Sequence, residues 1–349
     1  MSADSSRKIA RTYRGTPRNI ARLAAALVRG ELVAVPTETV YGLAGDALNP
    51  RACAKIFGAK GRPTNDPLIV HIHDLAQLDE LAERNEAVAT VVAAFWPGPL
   101  TIVLLKKAIV PALVTSGGAS VAVRMPSHPL FRKLLKACGR PLAAPSANPF
   151  GYISPTSAVH VRESLGTKIK FILDGGESVI GLESTVLDLR DPRRPGILRP
   201  GAISAEEIGS VLGCRVSRGV RAKVSKGKGV EVSGREVTGG VIVAPGMLAK
   251  HYSPRTPVVL HARLRKKEVM AAAGDEAVLF VFKPCGVVAR NVFWLAEAGD
   301  LQAAARGLFA MLRKLDGGGW KRIHAERVRG TEALSLAIND RLTRAAAKG

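Results

Sequence analysis

A basic, glycine-rich stretch that begins near residue 214 divides this chain of 349 residues into two parts. Between residues 215 and 230 it holds six lysines and arginines and no acidic residue, and its glycines and serines interrupt any helical period. Such a composition is typical of a solvated linker. We therefore expect two folded units, at residues 1–213 and 256–349, joined by a linker over 214–255.

The first part combines strand-like and helix-like apolar patterns in an irregular order. Apolar runs predict strands at 31–37, 68–73, 100–105, 120–125, 141–148, 171–174, 184–189 and 196–200. Apolar residues at helical spacing predict helices at 19–29, 50–58 and 130–138, one or two helices over 75–95, and a short one from Ser204. This mixture predicts an α/β or α+β fold.

The second part alternates more regularly. Strand patterns are found at 257–262, 277–282 and 322–328, and helix patterns at 266–273, 300–315 and 331–347. The β-α-β-α-β-α order predicts a small, largely parallel sheet. Neither part contains a GxxxxGK[ST] or GxGxxG loop, so a nucleotide site would have to be built in another way.

The composition excludes several classes of protein. With 47% hydrophobic residues the chain can bury a core, and no apolar run reaches the ~20 residues of a membrane helix. The basic N-terminus lacks the apolar region of a secretory signal, although an organelle-targeting role for it stays open. The four cysteines are far apart and form no CxxC pair, which favours buried or inert thiols in the cytoplasm over disulfides or a zinc ribbon.

The charge of the chain is basic and unevenly placed. Lysine and arginine number 51 against 29 aspartates and glutamates, a formal net charge of +22. Residues 101–150 contain seven basic residues and no acidic one. Such blocks attract phosphates, carboxylates or nucleic acid.

Two cations flank a glycine in the sequence KGRPTNDPLIVHI. Lys60 and Arg62 precede Pro63, which disfavours helix, so we expect them on an exposed, extended loop. The compact ammonium of Lys60 and the planar guanidinium of Arg62 would suit a polyphosphate there. The alternative is a solvated pair of charges. His71 and His73 would share one strand face without a third metal ligand nearby, so a substrate contact or a packed core histidine is favoured over a metal site.

Hydroxyl and amide side chains cluster in two places. Thr37 and Thr39, in PTETVYGL, lie on one side of an extended segment unless they belong to an ordinary β-turn. Ser146, Asn148 and Ser154 crowd the proline-stiffened loop APSANPFGYISPT. That pattern indicates either a ligand-binding loop or a polar surface loop that caps the next helix.

Two arginines adjoin apolar strands. Arg124 follows the apolar sequence VAV, and Arg199 follows GIL. Ser184 lies in the same half of the chain, at the start of a predicted strand. An arginine in such a position usually pairs with a carboxylate or a phosphate.

Seven motifs, in this order, resemble those of one family. The YrdC-like threonylcarbamoyl-AMP synthases are similar in PTETVYGL, KGRPTNDPLIVHI, FWPGPLTIVL, VAVRMPSHP, APSANPFGYISPT, GLESTVLDL and ILRPGAI, which include their KxR and SxN signatures. The resemblance covers residues 16–213 and continues through APGMLAKHYSPRTP and SLAINDRL, as in the longer, two-domain form. It implies a twisted open α/β sheet with a concave, basic face and a smaller Rossmann-like C-terminal domain.

The resemblance also implies a reaction. L-Threonine, bicarbonate (or CO2) and ATP, with Mg²⁺ on the ATP, would give L-threonylcarbamoyl-AMP and pyrophosphate. A carbamate oxygen would attack the α-phosphorus, so no protein nucleophile is required, and the chain has no GxSxG elbow. The product would serve a downstream tRNA-modifying threonylcarbamoyltransferase that forms N6-threonylcarbamoyladenosine at tRNA position 37.

By motif position, the resemblance assigns residues to both substrates. Those implied for ATP are Lys60, Arg62, Thr64, Ser120, Ser146, Asn148, Ser154, Arg199 and Tyr252. Those implied for threonine are Thr37, His71, Arg124, Ala144 and Ser184, with Arg124 on the carboxylate. Lys60 and Arg62 would act in catalysis through the phosphates, and no side chain is assigned to a metal. Residues 244–257 would close over the cleft as a lid, or else dock on the second unit as a spacer.

Two other functions need weighing against the synthase. A double-stranded RNA-binding module without catalysis agrees with the charge of +22, but aromatic residues are only 5% and no RNP-like motif is present. A carbamoyltransferase-related enzyme would need an acylphosphatase region and zinc-finger cysteines, which this sequence lacks. The synthase implies a cytoplasmic location without membrane contact, and some affinity for RNA stays open.

Overall fold

The computed structural model describes residues 9–218, 251–265, 269, 272, 274–286, 289–297 and 299–347. Within these ranges the chain forms two sheets, one from residues 11–218 and one from residues 258–326. The larger sheet therefore takes in the first residues of the predicted linker. The rest of that prediction, over 219–250, lies outside the described residues.

An eleven-stranded mixed sheet forms the first unit. Its strands are β1 (Arg11–Arg14), β2 (Val33–Val35), β3 (Gly42–Asp46), β4 (Ile69–His71), β5 (Leu100–Leu105), β6 (Ser120–Arg124), β7 (Leu142–Ala143), β8 (Phe171–Asp174), β9 (Thr185–Asp188), β10 (Gly196–Arg199) and β11 (Ser217–Arg218). In space they lie in the order β1-β8-β2-β3-β7-β4-β6-β5-β9-β10-β11. β4 runs parallel to β6 with His71 opposite Arg124, so the sheet itself brings these two predicted site residues together.

Helices pack against this sheet, and most begin at a capping side chain. They are α1 (Pro17–Val28), α2 (Pro50–Lys60), α3 (Leu75–Leu81), α4 (Glu86–Phe95), α5 (Pro129–Cys138), α6 (Ala158–Leu165) and α7 (Ala205–Leu212). The side chains that accept a hydrogen bond from a backbone N–H of the first turn are Thr16, Asn49, Asp74, Asn85, Ser157 and Ser204. These local signals explain why the helix predictions are largely confirmed.

A four-stranded, wholly parallel sheet forms the second unit, as predicted. Its strands are β12 (Val258–His261), β13 (Ala277–Phe282), β14 (Val292–Ala296) and β15 (Ile323–Glu326), in the spatial order β12-β15-β13-β14. The helices α8 (Leu301–Asp316) and α9 (Ala333–Ala345) pack on it through a shared apolar cluster. The helix predicted over 266–273 lies mostly outside the described residues.

Several strands are not predicted by the sequence patterns. β1 buries only Tyr13, so its pattern gives no alternation. β3 has the sequence GLAGD and is buried at every position, so its glycines hide it from a propensity argument. β14 is half-buried without alternation. These strands form because neighbouring strands supply the pairing.

The two units share an apolar cluster. Val40, Ile153 and Leu182 of the first unit pack with Leu308 and Phe309 of α8. Hydrogen bonds cross the same contact and are considered below. The second unit is therefore docked directly beside the loops that carry the predicted site residues.

Among the described residues, no helix combines the length and the apolar character that crossing a membrane requires. The four cysteines are free. Burial of Cys53 and Cys138 raises the pKa of both thiols. Cys214 and Cys285 are exposed and lie outside the helices and strands, so for these two only the inert alternative of the predicted buried or inert thiols stays open.

Candidate functional site

One cavity collects side chains from the ends of several strands of the larger sheet. It lies where the turn between β2 and β3 faces β4, β6, the start of β9 and the end of β10, and residues 251–252 border it. The residues assigned by resemblance that line it are Thr37, Arg62, His71, Arg124, Ala144, Ser146, Ser184, Arg199 and Tyr252. The cavity therefore draws on both predicted substrate sites.

A chain of hydrogen bonds links Arg124 to the turn between β2 and β3. Arg124 Nη1 donates to Thr39 Oγ1 at 2.8 Å, and that hydroxyl lies 2.8 Å from Thr37 Oγ1. Thr37 Oγ1 in turn lies 2.6 Å from the carbonyl oxygen of Val40. Because a carbonyl can only accept, Thr37 donates its single proton to Val40 and Thr39 donates to Thr37. Both hydroxyls are thereby fixed in orientation at the cavity wall.

Arg124 is also ion-paired with Glu38, a residue that the sequence analysis does not single out. Its Nη2 lies 2.8 Å from Glu38 Oε1, and its Nε donates to the Gly98 carbonyl at 3.1 Å. The Ser127 N–H donates to the same carboxylate oxygen. Burial by itself would raise the pKa of Glu38, but the Arg124 charge and the Ser127 N–H lower it to about 2. The ionised Glu38 competes with any ligand carboxylate for Arg124.

His71 presents an uncharged ring to the cavity. It is buried on β4 beside Phe131, with ring centroids 5.4 Å apart. Burial and the Arg124 charge lower the pKa of His71 to about 3. Its Nδ1 has no hydrogen-bond partner among the described residues. His73 Nδ1 lies 2.8 Å from Gln77 Oε1, so the two histidines have separate surroundings.

The two cations of the KxR signature are buried, which corrects the exposed loop predicted for them. Lys60 is the last residue of α2, and Gly61 ends the helix in the left-handed conformation with φ of 62°. Lys60 Nζ donates to the carbonyl oxygens of Ser146 and Asn148 at 2.6 and 2.7 Å. Burial and the neighbouring Arg62 charge lower the pKa of Lys60 well below its usual value.

Arg62 is anchored beside Asp66. Its Nη2 lies 3.0 Å from Asp66 Oδ2 and donates to the Pro67 carbonyl at 2.7 Å. Its Nε donates to the Asp66 carbonyl at 3.0 Å. Burial raises the pKa of Asp66 against the opposing charges of Arg62 and Lys60. The i, i+4 spacing of Arg62 and Asp66 is the sequence signal that could have found this pair.

Arg199 and Ser184 join the two predicted substrate sites. Arg199 Nε and Nη2 donate to the Ser184 carbonyl at 3.2 and 3.0 Å, and Nη2 also donates to Ser184 Oγ at 3.1 Å. Ser184 Oγ lies 2.7 Å from Thr101 Oγ1. The serine assigned to threonine therefore lies directly against the arginine assigned to ATP.

Glu183 lines the cavity and was also missed from the sequence. Ser154 Oγ donates to Glu183 Oε1 at 2.5 Å, and Arg341 Nε of α9 lies 3.0 Å from Oε2. Ser154 itself does not line the cavity and acts on it through this carboxylate. A lone acidic residue before an apolar strand, in GLESTVLDL, is the signal that could have found Glu183.

Five assigned residues do not line the cavity. Lys60 and Asn148 are buried, Lys60 behind the loop that carries both Ser146 and Asn148. Ser120 begins β6 at the end opposite to Arg124, and Thr64 is exposed in a turn. Their contact with ATP, like that of Ser154, stays a prediction.

Tyr252 closes one side of the cavity in a strained conformation. Its φ is 61°, which is unusual for a bulky residue. The ring packs edge-on against His251 with centroids 4.2 Å apart, and 5.5 Å from the Phe309 ring of α8. Burial raises the pKa of Tyr252 to about 12, and its hydroxyl has no hydrogen-bond partner among the described residues. The remainder of the predicted lid before residue 251 lies outside the described residues.

Family models match both units of the chain. Residues 25–201 match the Sua5–YciO–YrdC model, described as Telomere recombination. Residues 203–347 match the model described as Threonylcarbamoyl-AMP synthase, C-terminal domain. Together the two models extend from α1 to α9.

Relatives and a solved structure agree over nearly the whole chain. The threonylcarbamoyl-AMP synthase of Pyrococcus abyssi is 43% identical over 93% of each chain. That of Bacillus subtilis is 39% identical over 94% of this chain and 92% of its own. The crystal structure of P. abyssi Sua5 complexed with L-threonine has a TM-score of 0.83 and 40% identity, and covers 97% of both chains. The chain therefore belongs to the threonylcarbamoyl-AMP synthase family, in its two-domain form.

Proposed function

We infer that this chain is a threonylcarbamoyl-AMP synthase, which converts L-threonine, bicarbonate and ATP to threonylcarbamoyl-AMP and pyrophosphate. The observation that carries the inference is a single cavity, in a chain of this family, that presents Arg124, Arg62 and Arg199. Threonine brings a carboxylate and ATP a triphosphate. Two anions bound side by side need separate cationic partners within one pocket.

The reaction depends on alignment of the substrates. The threonine amine and bicarbonate form a carbamate with loss of water. A carbamate oxygen then bonds to the α-phosphorus while the bond to the bridging oxygen of the β-phosphate breaks, and pyrophosphate leaves. Holding the reacting atoms in line supplies a large part of such a rate enhancement.

On the threonine side, Arg124 is the proposed partner of the carboxylate. Its guanidinium is already fixed by Thr39 and Gly98, so it can meet a planar carboxylate in a defined orientation. The neutral His71 ring can contact the amine or hydroxyl without adding charge. The residues proposed around the amino acid are Thr37, His71, Ala144 and Ser184, which all line the cavity.

On the ATP side, Arg62 and Arg199 are the proposed phosphate partners at the cavity wall. Lys60 lies behind these arginines, where a nearby phosphate would stabilise its buried ammonium. The further residues proposed for ATP are Thr64, Ser120, Ser146, Asn148, Ser154 and Tyr252. The unpartnered Tyr252 hydroxyl favours a polar contact with a ligand.

We propose that Mg²⁺ enters with ATP. The carboxylates nearest the cavity, Glu38, Asp66 and Glu183, are each paired with an arginine. Phosphate and water oxygens therefore suit the ion better than these side chains do. When bound, Mg²⁺ offsets the charge of the phosphates during pyrophosphate departure.

Pyrophosphate release by the full chain tests the proposal. We expect release only when ATP, threonine and bicarbonate are all present, and Arg124→Ala should raise the threonine KM by about tenfold or more. Arg190→Ala is the matched control, because Arg190 pairs with Asp188 at the surface and does not line the cavity. Release that continues without threonine would contradict the assignment.

We further propose that the product passes to a tRNA-modifying threonylcarbamoyltransferase in the cytoplasm. Exposed cations of α1 and α5, among them Arg18, Arg22, Lys133 and Lys136, favour some affinity for RNA. If binding of RNA without catalysis were the function, tRNA binding would be strong and salt-dependent while pyrophosphate release would be absent.

A further inference from the structure

The second unit places one fully buried arginine against the candidate site. Arg341, on α9, lies 3.0 Å through its Nε from Glu183 Oε2. Its Nη1 donates to the Pro200 carbonyl at 2.7 Å and lies 3.0 Å from Asp340 Oδ2. Its guanidinium lies 5.3 Å from the ring centroid of Tyr252.

These contacts reach three parts of the cavity at once. Glu183 and Tyr252 line it, and Pro200 follows the lining residue Arg199 directly in the chain. One side chain from the second unit thus holds a carboxylate, an aromatic ring and the backbone beside an arginine. Tyr252 and Arg199 are proposed for ATP, and Glu183 accepts a hydrogen bond from Ser154, which is also proposed for ATP.

The charge of Glu183 explains why the position of Arg341 matters. An ionised carboxylate inside a phosphate-binding cavity repels phosphate, and it attracts the cations that should bind the phosphate. Arg341 gives Glu183 a dedicated counter-charge from outside the cavity. With Arg341 removed, Glu183 would be left buried and would draw on Arg199, which lies next to Ser184 in the same wall.

We propose that Arg341 is a positioning residue for the nucleotide half of the site, through which the second unit keeps Glu183 and Tyr252 in place. The proposal rests on the proposed function for its choice of nucleotide. On the threonine side, Arg124, His71 and Thr37 have their partners within the first unit, and Arg341 comes nearest at the Glu183 carbonyl, which precedes Ser184 and accepts from Arg341 Nη2 at 3.4 Å. The expected defect is therefore greater for ATP than for threonine.

Steady-state kinetics on the full chain separate this role from simple docking of the two units. Arg341→Met should raise the ATP KM by about ten- to hundredfold, the range for one lost charge-assisted contact, and leave the threonine KM within about twofold. Arg341→Lys should recover little, because an ammonium cannot serve Glu183 and Pro200 as a planar fork does. Glu183→Gln in the Arg341→Met background should recover most of the ATP affinity, because no uncompensated charge remains.

The control is Tyr152→Phe. The Tyr152 hydroxyl crosses the same contact and donates to Asp316 Oδ2 of α8 at 2.7 Å, and Tyr152 does not line the cavity. We expect this variant to lose thermal stability with no preferential change in the ATP KM. Calorimetric binding of ATP to each variant gives a readout that does not require turnover, so failure of the proposed reaction and failure of this proposal are distinguishable.

Three results would overturn the proposal. The first is Arg341→Met with a wild-type ATP affinity, and the second is a double variant that binds ATP no better than Arg341→Met. The third is an equal shift of the ATP and threonine KM values, because a purely structural contact predicts that pattern.

Discussion

Replacing Lys60 by methionine perturbs the most enclosed cation of the candidate site. Its Nζ holds two loop carbonyls, and burial together with the Arg62 charge lowers the pKa of Lys60 well below its usual value. At a given pH, the neutral amine is therefore more populated for Lys60 than for an exposed lysine when no anion is near. A phosphate placed beside Nζ favours the ammonium and reverses the shift. ATP binding should therefore be accompanied by uptake of a proton.

Two magnitudes follow from the contacts of Lys60. A charge-assisted phosphate contact contributes ~1.5–3 kcal/mol, so Lys60→Met should weaken ATP binding about ten- to hundredfold. The variant also removes the Lys60 donor from the buried Asn148 carbonyl, which costs ~1–3 kcal/mol, whereas the Ser146 carbonyl still accepts from the Asn148 N–H at 3.0 Å. Part of that loss is offset because no ammonium is desolvated on folding. Proton uptake through Lys60 is bounded at one per ATP.

Calorimetric titration of ATP in buffers of different ionisation enthalpy measures this uptake. The wild type should take up more protons than Lys60→Met, and the difference should be largest between the lowered pKa of Lys60 and the ordinary lysine pKa. Lys55→Met is the matched control on the same helix, since Lys55 is exposed and bonds only the Gly30 carbonyl among the contacts recorded for it. If Lys60→Met binds ATP as tightly and takes up as many protons as the wild type, the reasoning is wrong.

Three further outcomes are expected. Arg124→Lys should not restore the threonine KM lost in Arg124→Ala, because a point charge cannot replace the fork that meets both Glu38 and a carboxylate; a near-native lysine variant would remove Arg124 from the threonine site. Burial lowers the pKa of His71 from 6.5 to about 3, so the unfolded chain binds more protons than the folded chain between those pH values. The free energy of unfolding should therefore decrease as the pH falls through this range, by up to ~1.4 kcal/mol per pH unit from this residue. In urea unfolding between pH 6.5 and 4.5, the free energy of unfolding should depend less steeply on pH for His71→Gln than for the wild type. An equal pH dependence would refute the neutral His71 ring. Tyr252→Phe should weaken ATP binding without changing the threonine KM if the unpartnered hydroxyl contacts the nucleotide, and equal ATP affinity would exclude that contact.

The parts of the fold that carry local signals are predicted well from the sequence. α7 begins where Ser204 and Glu207 form a reciprocal capping box, and α5 ends at a left-handed Gly139. β3 could not be predicted in this way, because its glycines have no strand propensity and its order comes from pairing with β2 and β7. The same holds for β1, which exists as a strand because β8 pairs with it.

The cavity is predicted better for its cations than for its carboxylates. Sequence motifs point to Arg62, Arg124 and Arg199 because an arginine in an apolar context needs an anion. They do not say whether that anion belongs to the ligand or to the protein. In the structure Asp66 pairs with Arg62 at a local i, i+4 spacing, whereas Glu38 pairs with Arg124 from a distant part of the chain, which no local pattern encodes.

These internal pairs bear on how the site can bind two anionic substrates. A guanidinium buried without a counter-ion costs several kcal/mol, so Glu38 and Asp66 stabilise the cavity when no ligand is bound. Each substrate must then share an arginine with a carboxylate that is already in place, which lowers its affinity. The same carboxylates hold the guanidinium planes in fixed orientations, so little reorganisation is needed once the substrates arrive. Weaker ground-state binding and better alignment therefore come from the same contacts, and alignment is what an in-line attack on the α-phosphorus requires.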